Sequence, residues 1–319
     1  MNQFIQLLSK PYITIGASLT RIGFGLLLLY FYGIHYAQRG YLWGPNGVID
    51  FELFQSTMID YNSFSLYGLS ASPLFFEIIF HLGLIFAFLY TIGFKGRFTS
   101  IVNFILVFSI HERNHLILDG GDNVMRIILF YLIFAQTTRF FSVDSYRRQI
   151  TDREVKTSFV SSSLHNLAIL AAVMQLCIMY LNSALYKVMG EVWQNGTAVY
   201  YTLQVEEYSL PFFRNIINSS DLIIALVTYG TVIVQISFPF LLFNKRTKYF
   251  SLILVVGMHI GIGIVMGLFT FSITMIVIDL LLISNKDYIK AFSFIRSKIK
   301  NIKFSKKRSS KDEGTVSEG

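Results

Sequence analysis

Charged side chains and cysteines are scarce in this sequence of 319 residues. Asp, Glu, Lys and Arg together make up 14% of the chain, whereas a soluble domain usually contains about a quarter of such residues. This shortage excludes a protein whose surface is mainly in contact with water. The single cysteine, Cys177, excludes an intrachain disulfide, so the redox compartment cannot be inferred from it. No repeat of solenoid length is visible, and most loops are too short for a separate soluble domain.

Hydrophobic residues, in contrast, make up 53% of the chain, and the mean hydropathy is +0.54. Crossing a ~30 Å hydrocarbon layer as a helix takes about 20 apolar residues. Runs of this kind lie at 13–34, 73–93, 99–118, 124–141, 164–186 and 221–243. The run 249–284 is too long for one helix and fits two, with a break near Gly267. The sequence therefore predicts an all-α, multi-pass helix bundle in the cell membrane, with about eight transmembrane helices.

The distribution of Lys and Arg predicts the orientation of this bundle. With a cytoplasmic N-terminus, 21 of the 27 Lys and Arg residues lie in cytoplasmic segments, three in external segments, and three at or within spans. Basic residues are concentrated on the cytoplasmic side of membrane proteins, so we expect both termini to be cytoplasmic. The net charge of +8 then reflects topology and attraction to anionic lipids. We expect membrane lipids, and no nucleic acid, among the partners.

The same pattern divides the chain into three segments. These are a cytoplasmic N-terminus (1–12), a transmembrane domain (13–284) and a basic, partly disordered cytoplasmic tail (285–319). The large apolar residues of the tail fall on one broad helical face: Tyr288, Ile289, Phe292, Ile295, Ile299 and Ile302. Two interpretations fit this segment, a helix lying on the anionic inner leaflet and a solvated basic tail.

A polar stretch, SIHERNHLILDGGDNVMR (109–126), separates two apolar runs at the predicted external end. We expect the pair Gly120–Gly121 to break the helix there into a hairpin. Carboxylates and arginine at this depth cost roughly 2.5–3.5 kcal/mol each when they face lipid, so they must face the bundle. Two interpretations fit Asp119, Asp122 and Arg126: a buried ion-pair network that stabilises the hairpin, and direct contact with a substrate.

Within this stretch, His111 to His115 has the H-E-x-x-H pattern of zinc peptidases. On a helix this pattern places two histidines on one face, beside a glutamate that activates water. A third ligand would have to be Asp119 or Asp122. The pattern has only three defined positions, and Arg113 inside it would oppose a dication. We therefore expect no metal at this place.

The stretch also resembles the signature of the HTTM-domain membrane proteins, the family that includes vitamin K-dependent gamma-carboxylase. The recurrent pattern R-N-x-L-I-L-x-G-G-D-x-x-x-R is matched by Arg113, Asn114, Leu116, Ile117, Leu118, Gly120, Gly121, Asp122 and Arg126. The two histidines and Glu112 are not part of this pattern, so the resemblance makes the zinc motif a coincidence.

Further segments between residues 15 and 284 resemble the same family. They are SLTRIGFGLLLL with Arg21, YLNSALYKVMGEVWQNGTAVYYTL with Lys187, Trp193 and Gly196, and GMHIGIGIVMG with His259. From the residues alone, Lys187 is either a desolvated amine that acts as a base or a charged one that extends to the membrane surface or pairs with Glu191. His259 is either catalytic or the donor of an interhelical hydrogen bond.

The resemblance implies a role outside the cytoplasm in the maturation or production of an exported antimicrobial or toxin peptide. The implied partners are the peptide precursor and a small companion protein. The candidate catalytic residues are Lys187, Asp122, Arg126 and His259. The candidate binding residues are Arg21, Arg113, Asn114, Asp119, Trp193 and Gly196. The function requires no cofactor.

The sequence does not determine whether the protein is an enzyme. One alternative is a carboxylase-like enzyme that uses a quinone or a vitamin K-like cofactor of the membrane, with Lys187 as its base. A second alternative is a membrane zinc peptidase.

Overall fold

The structure is a computed structural model, and it describes residues 9–151 and 158–298. These residues form α-helices joined by loops and short 3-10 helices, as predicted for an all-α protein. In chain order the α-helices are α1 Thr14–Ile34, α2 Arg39–Trp43, α3 Phe51–Asp60, α4 Pro73–Ile92, α5 Gly96–Arg113, α6 Gly120–Leu132, α7 Val143–Ile150, α8 Phe159–Met189, α9 Glu191–Gln194, α10 Ala198–Gln204, α11 Pro211–Asn218, α12 Asp221–Leu241, α13 Lys245–Met266, α14 Phe269–Asp279 and α15 Asn285–Lys298. Residues 1–8 of the predicted N-terminal segment and 299–319 of the predicted tail, with Ile299 and Ile302, lie outside the described residues.

Several of these helices are able to cross a membrane. Among the described residues, α1, α4, α8, α12 and α13 are long and apolar enough to do so. The α14 and α15 segments count as a sixth span only if taken together, and they are bent by 108°. Helix α5 carries three charged residues, and α6 has 13 residues. The structure thus supports a membrane protein, whereas only five of the eight predicted spans meet this test of length and composition alone.

The helices pack in two groups, one around α1 and α4 and the other around α8, α12 and α13. Helices α6 and α14 contact both groups. Helix α1 packs against α4 and α14, and its side chains Phe24, Leu28 and Tyr32 are fully buried. Helix α8 packs against α12, and α12 against α13. Helix α14 contacts α1 and α13, and α6 contacts α8. The predicted break near Gly267 is confirmed, because α13 ends at Met266 and Gly267 has a left-handed backbone (φ 72°).

Loops that are distant in the sequence meet at the two ends of the bundle. At one end, Asp144 accepts hydrogen bonds from the backbone N–H groups of Lys95 (3.0 Å) and Gly96 (2.9 Å). Lys245 forms an ion pair with Asp287 at this end, at 2.8 Å. We call it the basic end. The opposite end, which we call the turn end, contains the loop 114–119 between α5 and α6 and the start of α14.

Arg21 fastens α1 to the basic end. Its side chain is fully buried, and it donates to the carbonyl oxygens of Thr137 (3.1 Å), Tyr90 (2.8 Å), Phe141 (2.6 Å) and Thr91. Four acceptors, two in the last turn of α4 and two in the loop 137–141, satisfy a charge that would be costly to bury without partners. The structure therefore gives Arg21, a predicted binding residue, a structural role at the end opposite the turn.

Candidate functional site

The polar stretch between α5 and α6 is a loop with a helix on either side. Helix α5 ends at Arg113, and Asn114 is extended. His111 is therefore buried at the end of a helix, whereas His115 is exposed on the loop. The two histidines do not share a helical face, and the described residues contain no group of three His, Cys, Asp or Glu placed to hold a metal ion. The expectation that Gly120–Gly121 breaks the helix is wrong, because these residues form the first turn of α6.

Arg113 and Asn114 hold the segment that follows α1 against the bundle. Arg113 Nη2 donates to the carbonyl oxygens of Gly44 and Ile49, both at 2.6 Å. The guanidinium carbon lies 4.7 Å from the centre of the Phe54 ring. Asn114 Nδ2 donates to the carbonyl of Leu42 at 2.8 Å. These two predicted binding residues therefore bind the protein's own backbone.

The DGGD turn closes as a reciprocal capping box. Asp119 Oδ1 accepts from the backbone N–H groups of Gly121 (2.6 Å) and Asp122 (3.0 Å), and Asp122 Oδ2 accepts from the N–H of Asp119 (3.0 Å). Thr270 on α14 donates to Asp119 Oδ2 at 3.3 Å. Each such cap stabilises a helix by about 1 kcal/mol. Burial raises the pKa of Asp122 in this turn to about 6, and the negative charge of Asp119 contributes to the rise.

Arg126 pairs with a residue other than the predicted ones. Its Nη1 lies 2.5 Å from Glu112 Oε1, its Nη2 donates to Asn123 at 3.2 Å, and its guanidinium carbon lies 5.2 Å from the centre of the Phe108 ring. The predicted ion-pair network of Asp119, Asp122 and Arg126 is therefore wrong. The hairpin is joined by the Glu112–Arg126 pair instead, and the two aspartates cap α6.

A cavity of about 100 Å³ lies beside the turn, between α1, α6 and α14. Its walls are formed by Leu27, Tyr30, Phe31, Ile34, His35, Ile117, Asp119, Asp122, Met125, Thr270 and Thr274. Asp119 already accepts three hydrogen bonds, whereas Oδ1 of Asp122 has no hydrogen-bond partner among the described residues. Asp122 therefore supplies a free acceptor to a cavity lined by both apolar and polar side chains, which suits an N–H donor or a cation.

Lys187 lies in a separate polar site between α8 and α12. Its Nζ donates to Ser183 Oγ (2.6 Å) and to Gln235 Oε1 (3.1 Å), and it lies 5.2 Å from the centre of the Trp193 ring. Both hydrogen-bond acceptors are neutral. The predicted alternative, an ion pair with Glu191, is wrong, because the amine bonds to Ser183 one turn earlier on α8 and to Gln235 on α12 instead.

Gly196 and the residues around it attach the chain after α8 to α12. Tyr229 on α12 donates from its hydroxyl to the carbonyl of Gln194 at 2.8 Å. Gly196 has a left-handed backbone (φ 80°), and a Cβ at this position would lie 3.0 Å from the Tyr229 ring. Glycine is therefore required by both the backbone angle and the close contact. The attachment holds Trp193 over Lys187.

His259 on α13 contacts both α8 and α14. Its Nε2 and the Tyr180 hydroxyl are 2.9 Å apart, so α13 and α8 are joined by the predicted interhelical hydrogen bond. The imidazole ring centre lies 5.5 Å from that of Phe271 on α14. Phe271 also packs against the turn, since a Cβ on Gly121 would lie 3.1 Å from its Cα. His259 is therefore bonded to α8 and, through Phe271, packed towards the first turn of α6.

The structure thus separates the predicted site residues into distinct places. Asp119 and Asp122 line the cavity, and Lys187 and Trp193 form the second site. The sequence interpretation missed the partners Thr270, Ser183 and Gln235. Gln235 could have been noticed, because it is an amide inside the apolar run of α12. Nothing in the sequence distinguishes Thr270 or Ser183 from other hydroxyl residues in the helices.

Two proteins of Bacillus subtilis (strain 168) are similar to this chain. It is 27% identical over 233 residues to the protein YitO, which is 68% of this chain and 70% of YitO. It is 29% identical over 206 residues to the sporulation-delaying protein SdpB, which is 63% of this chain and 62% of SdpB, less than two thirds of that protein. No family profile matches the chain. No solved structure matches it either. The chain is thus distantly homologous to YitO and to a sporulation-delaying protein.

Proposed function

We propose that this chain is a multi-pass protein of the cell membrane, of the HTTM family, that acts outside the cytoplasm in the production of an exported antimicrobial or toxin peptide. The observation that carries the proposal is the 29% identity to SdpB over 206 residues. The peptide precursor and a small companion protein are the proposed partners.

The proposed topology has eight passes and cytoplasmic termini. Its support is that α5, α6 and α14 lie between the same two ends as the five apolar helices. The ion pair Glu112–Arg126 and the backbone contacts of Arg113 also give the charged groups of α5 and α6 partners within the protein, which lowers the cost of placing them near the membrane. With this topology the basic end is cytoplasmic, and the turn end with the cavity is external.

Single cysteines test this orientation in a Cys177→Ser background. An impermeant thiol reagent added to intact cells is expected to label cysteines at Ser63 and Ser219. In the proposed topology both residues lie in external segments, after α3 and α11. A cysteine at Thr151, after the basic helix α7, is expected to react only after lysis. Mass shifts of the purified protein measure the labelling. Labelling at Thr151 in intact cells would reverse the orientation and place the cavity in the cytoplasm.

The cavity is the proposed contact with the peptide. The free oxygen of Asp122 accepts a hydrogen bond from a backbone N–H or an amine, and the apolar wall of α1 accommodates a neighbouring side chain. The capping box holds the carboxylate in place, since the same residue is bonded to the N–H of Asp119. A cavity of about 100 Å³ admits a part of a peptide and not a whole ligand, because small-molecule sites usually measure about 300–1,000 Å³.

The variant Asp122→Asn separates the role of the charge from that of the cap. Asparagine retains an acceptor for the N–H of Asp119, so the turn is expected to form. Peptide production, measured as the mass and amount of the secreted peptide, is expected to fall at least tenfold. The exposed Asp60→Asn is the matched control and is expected to behave as wild type. Full production by Asp122→Asn at equal membrane levels would exclude the carboxylate as a peptide contact, and an unchanged peptide in cells lacking this chain would exclude the function itself.

The same variant has an expected pH dependence. The pKa of Asp122 is raised on folding, so the stability linked to its proton is present at low pH and lost as the pH rises through about 6. Asp122→Asn is therefore expected to be more stable than wild type above pH 6 and similar to it near pH 4. Thermal unfolding of both proteins in detergent measures this difference, and loss of stability by the variant at pH 7 would show that the turn did not form.

A second candidate function, a carboxylase-like enzyme, is favoured by one observation at Lys187. Among the described residues its amine donates only to the neutral groups of Ser183 and Gln235, so no carboxylate holds it in the charged form, as a base requires. The Trp193 ring at 5.2 Å acts in the other direction, because a cation–π contact favours the charged amine. The cavity at the turn, about 100 Å³, is too small to hold a quinone ring, because small-molecule sites usually measure about 300–1,000 Å³.

Substitution of Lys187 distinguishes the base from an anchoring role. Lys187→Arg is expected to keep at least part of peptide production, because guanidinium still donates to Ser183 and Gln235. Lys187→Met is expected to lower production more strongly. A base would be lost completely in Lys187→Arg, since arginine stays protonated at working pH. Production is compared at matched membrane levels, with the exposed Lys10→Arg as control. Complete loss in Lys187→Arg alone would favour the enzyme.

A further inference from the structure

The last described helix, α15, is held across the basic end of the bundle. It is bent by 108° from the segment Phe269–Leu282. Asp287 accepts hydrogen bonds from Lys245 (2.8 Å), Tyr249 (2.7 Å) and Ser284 (2.6 Å). These bonds hold the pKa of Asp287 well below its ordinary value. The first turn of α15 is thereby tied to α13, so the helix runs sideways along the end of the bundle in a defined direction.

Opposite faces of α15 differ in polarity. Tyr288, Ile289, Phe292 and Ile295 fall within an arc of about 120° at helical spacing. Lys286, Lys290 and Lys298 fall within an arc of similar width centred about 180° away. The separation is incomplete, because Arg296 lies in the apolar arc and Phe294 in the lysine arc. The apolar face is turned towards the bundle, as Tyr288 donates to the carbonyl of Leu280 at 2.8 Å and the ring centres of Phe292 and Phe141 are 6.0 Å apart.

Protein atoms cover only part of this apolar face. Tyr288 is 6% exposed, whereas Ile289 is 59% and Ile295 52% exposed. Their side chains extend past the edge of the bundle at the level where α13 begins and α14 ends. If these helices cross a membrane, that level is the boundary between the acyl chains and the headgroups. A helix with an apolar face, a lysine-rich face and this position is typical of helices that lie at a membrane surface.

We propose that α15 binds the anionic phospholipid surface at the basic end. Ile289, Phe292 and Ile295 enter the headgroup boundary, and the lysines of the other face lie near the phosphates. Charge complementarity selects this partner, because the loops beside α15 also carry exposed cations such as Lys95 and Arg246. A solvated tail, the other interpretation of the sequence, would leave the exposed isoleucines in water and would not require the fixed bend.

Spin labels in the full-length protein test this proposal. The protein, with Cys177→Ser, carries a label at Ile295→Cys or at Lys290→Cys and is placed in nanodiscs of phosphatidylcholine, with or without phosphatidylglycerol. Collision rates with oxygen report lipid, and those with a water-soluble nickel chelate report solvent. With phosphatidylglycerol, the label at residue 295 is expected to favour oxygen and the label at 290 the chelate. Both faces of a nanodisc have the same lipids, so the result does not depend on the orientation proposed above.

The contribution of charge is measured with Lys286→Gln/Lys298→Gln. Each lysine near an anionic surface favours the bound state about fivefold, so the double variant is expected to lose most of the effect of phosphatidylglycerol, about 25-fold in the ratio of bound to free helix. A label at Ser63, at the other end of the bundle, serves as a control and is expected to be unchanged. Two results would overturn the proposal: a label at residue 295 that reports solvent in both lipids, or one that reports lipid equally in both.

Discussion

Arg21→Met is expected to lower the free energy of unfolding by about 3–5 kcal/mol, because it removes the donor group shared by four buried or partly buried carbonyl oxygens. These carbonyls belong to the end of α4 and to the loop 137–141. The Tyr90 carbonyl also accepts the backbone N–H of Gly93 at 3.1 Å, so the loss falls mainly on the other three. Methionine fills a similar space without offering a hydrogen bond. Gly93, whose Cβ would lie 2.7 Å from Arg21 Nη1, allows this close approach. Thermal unfolding of the detergent-purified protein is expected to begin about 10 °C lower.

Two further variants define what the Arg21 experiment measures. Arg21→Lys is expected to be intermediate, because a compact ammonium cannot reach acceptors on opposite sides as the planar guanidinium does. Arg246→Met, at an exposed position on the basic end, is expected to change stability by less than about 0.5 kcal/mol. If Arg21→Met unfolds at the wild-type temperature, the four bonds do not hold the basic end together, and a binding role for Arg21 gains support.

Arg113→Met is expected to release the segment between α1 and α4 from the bundle. Nη2 of Arg113 serves the carbonyls of Gly44 and Ile49, and its guanidinium covers the Phe54 ring. Losing these contacts is expected to cost about 2 kcal/mol of local stability, so the segment would open about 30-fold more often. Limited proteolysis with the cleavage sites mapped by mass spectrometry measures this opening, and new cleavage is expected between residues 44 and 60.

Arg39→Met is the matched control for Arg113→Met. Arg39 lies in the same segment and pairs with Glu77 at 3.0 Å, but both side chains are partly exposed. Such surface pairs contribute about 0–1 kcal/mol, so cleavage is expected to rise only a few-fold. Equal cleavage rates for the two variants would mean that burial of the Arg113 contacts adds nothing, and that other contacts attach the segment.

The candidate site shows where inference from the sequence stopped. Asp119, Asp122 and Arg126 were expected to face protein because charges facing lipid are costly, and the structure places all three in contact with other protein groups. Which group each contacts did not follow from the sequence. Arg126 is close to Asp122 along the chain, yet it pairs with Glu112 on the preceding helix, 14 residues earlier. Short carboxylates at the start of a helix bond preferentially to backbone N–H groups. Asp119 and Asp122 both do so, and they are therefore not paired with Arg126.

Lys187 shows the same limit on the other side of the bundle. Helical spacing made Glu191 an available partner, since residues four apart lie on one face. However, helix α8 ends at Met189, so Glu191 is not on the same helix. The amine instead meets Gln235, which is 48 residues away. Only the packing of α8 against α12 brings these two groups within hydrogen-bond distance.

Composition and spacing were sufficient for the class of the molecule. Long apolar runs require backbone hydrogen bonds within the segment once water is absent, which predicts helices without further information. The left-handed backbone at Gly267 separates α13 from α14 where the length of the apolar run required a break. The choice of partners across helices depended on tertiary structure, because a hydrogen bond needs an approach to about 3 Å. That distance is set by how α1, α6, α8, α12 and α14 pack together, and the order of residues along any one of them does not contain it.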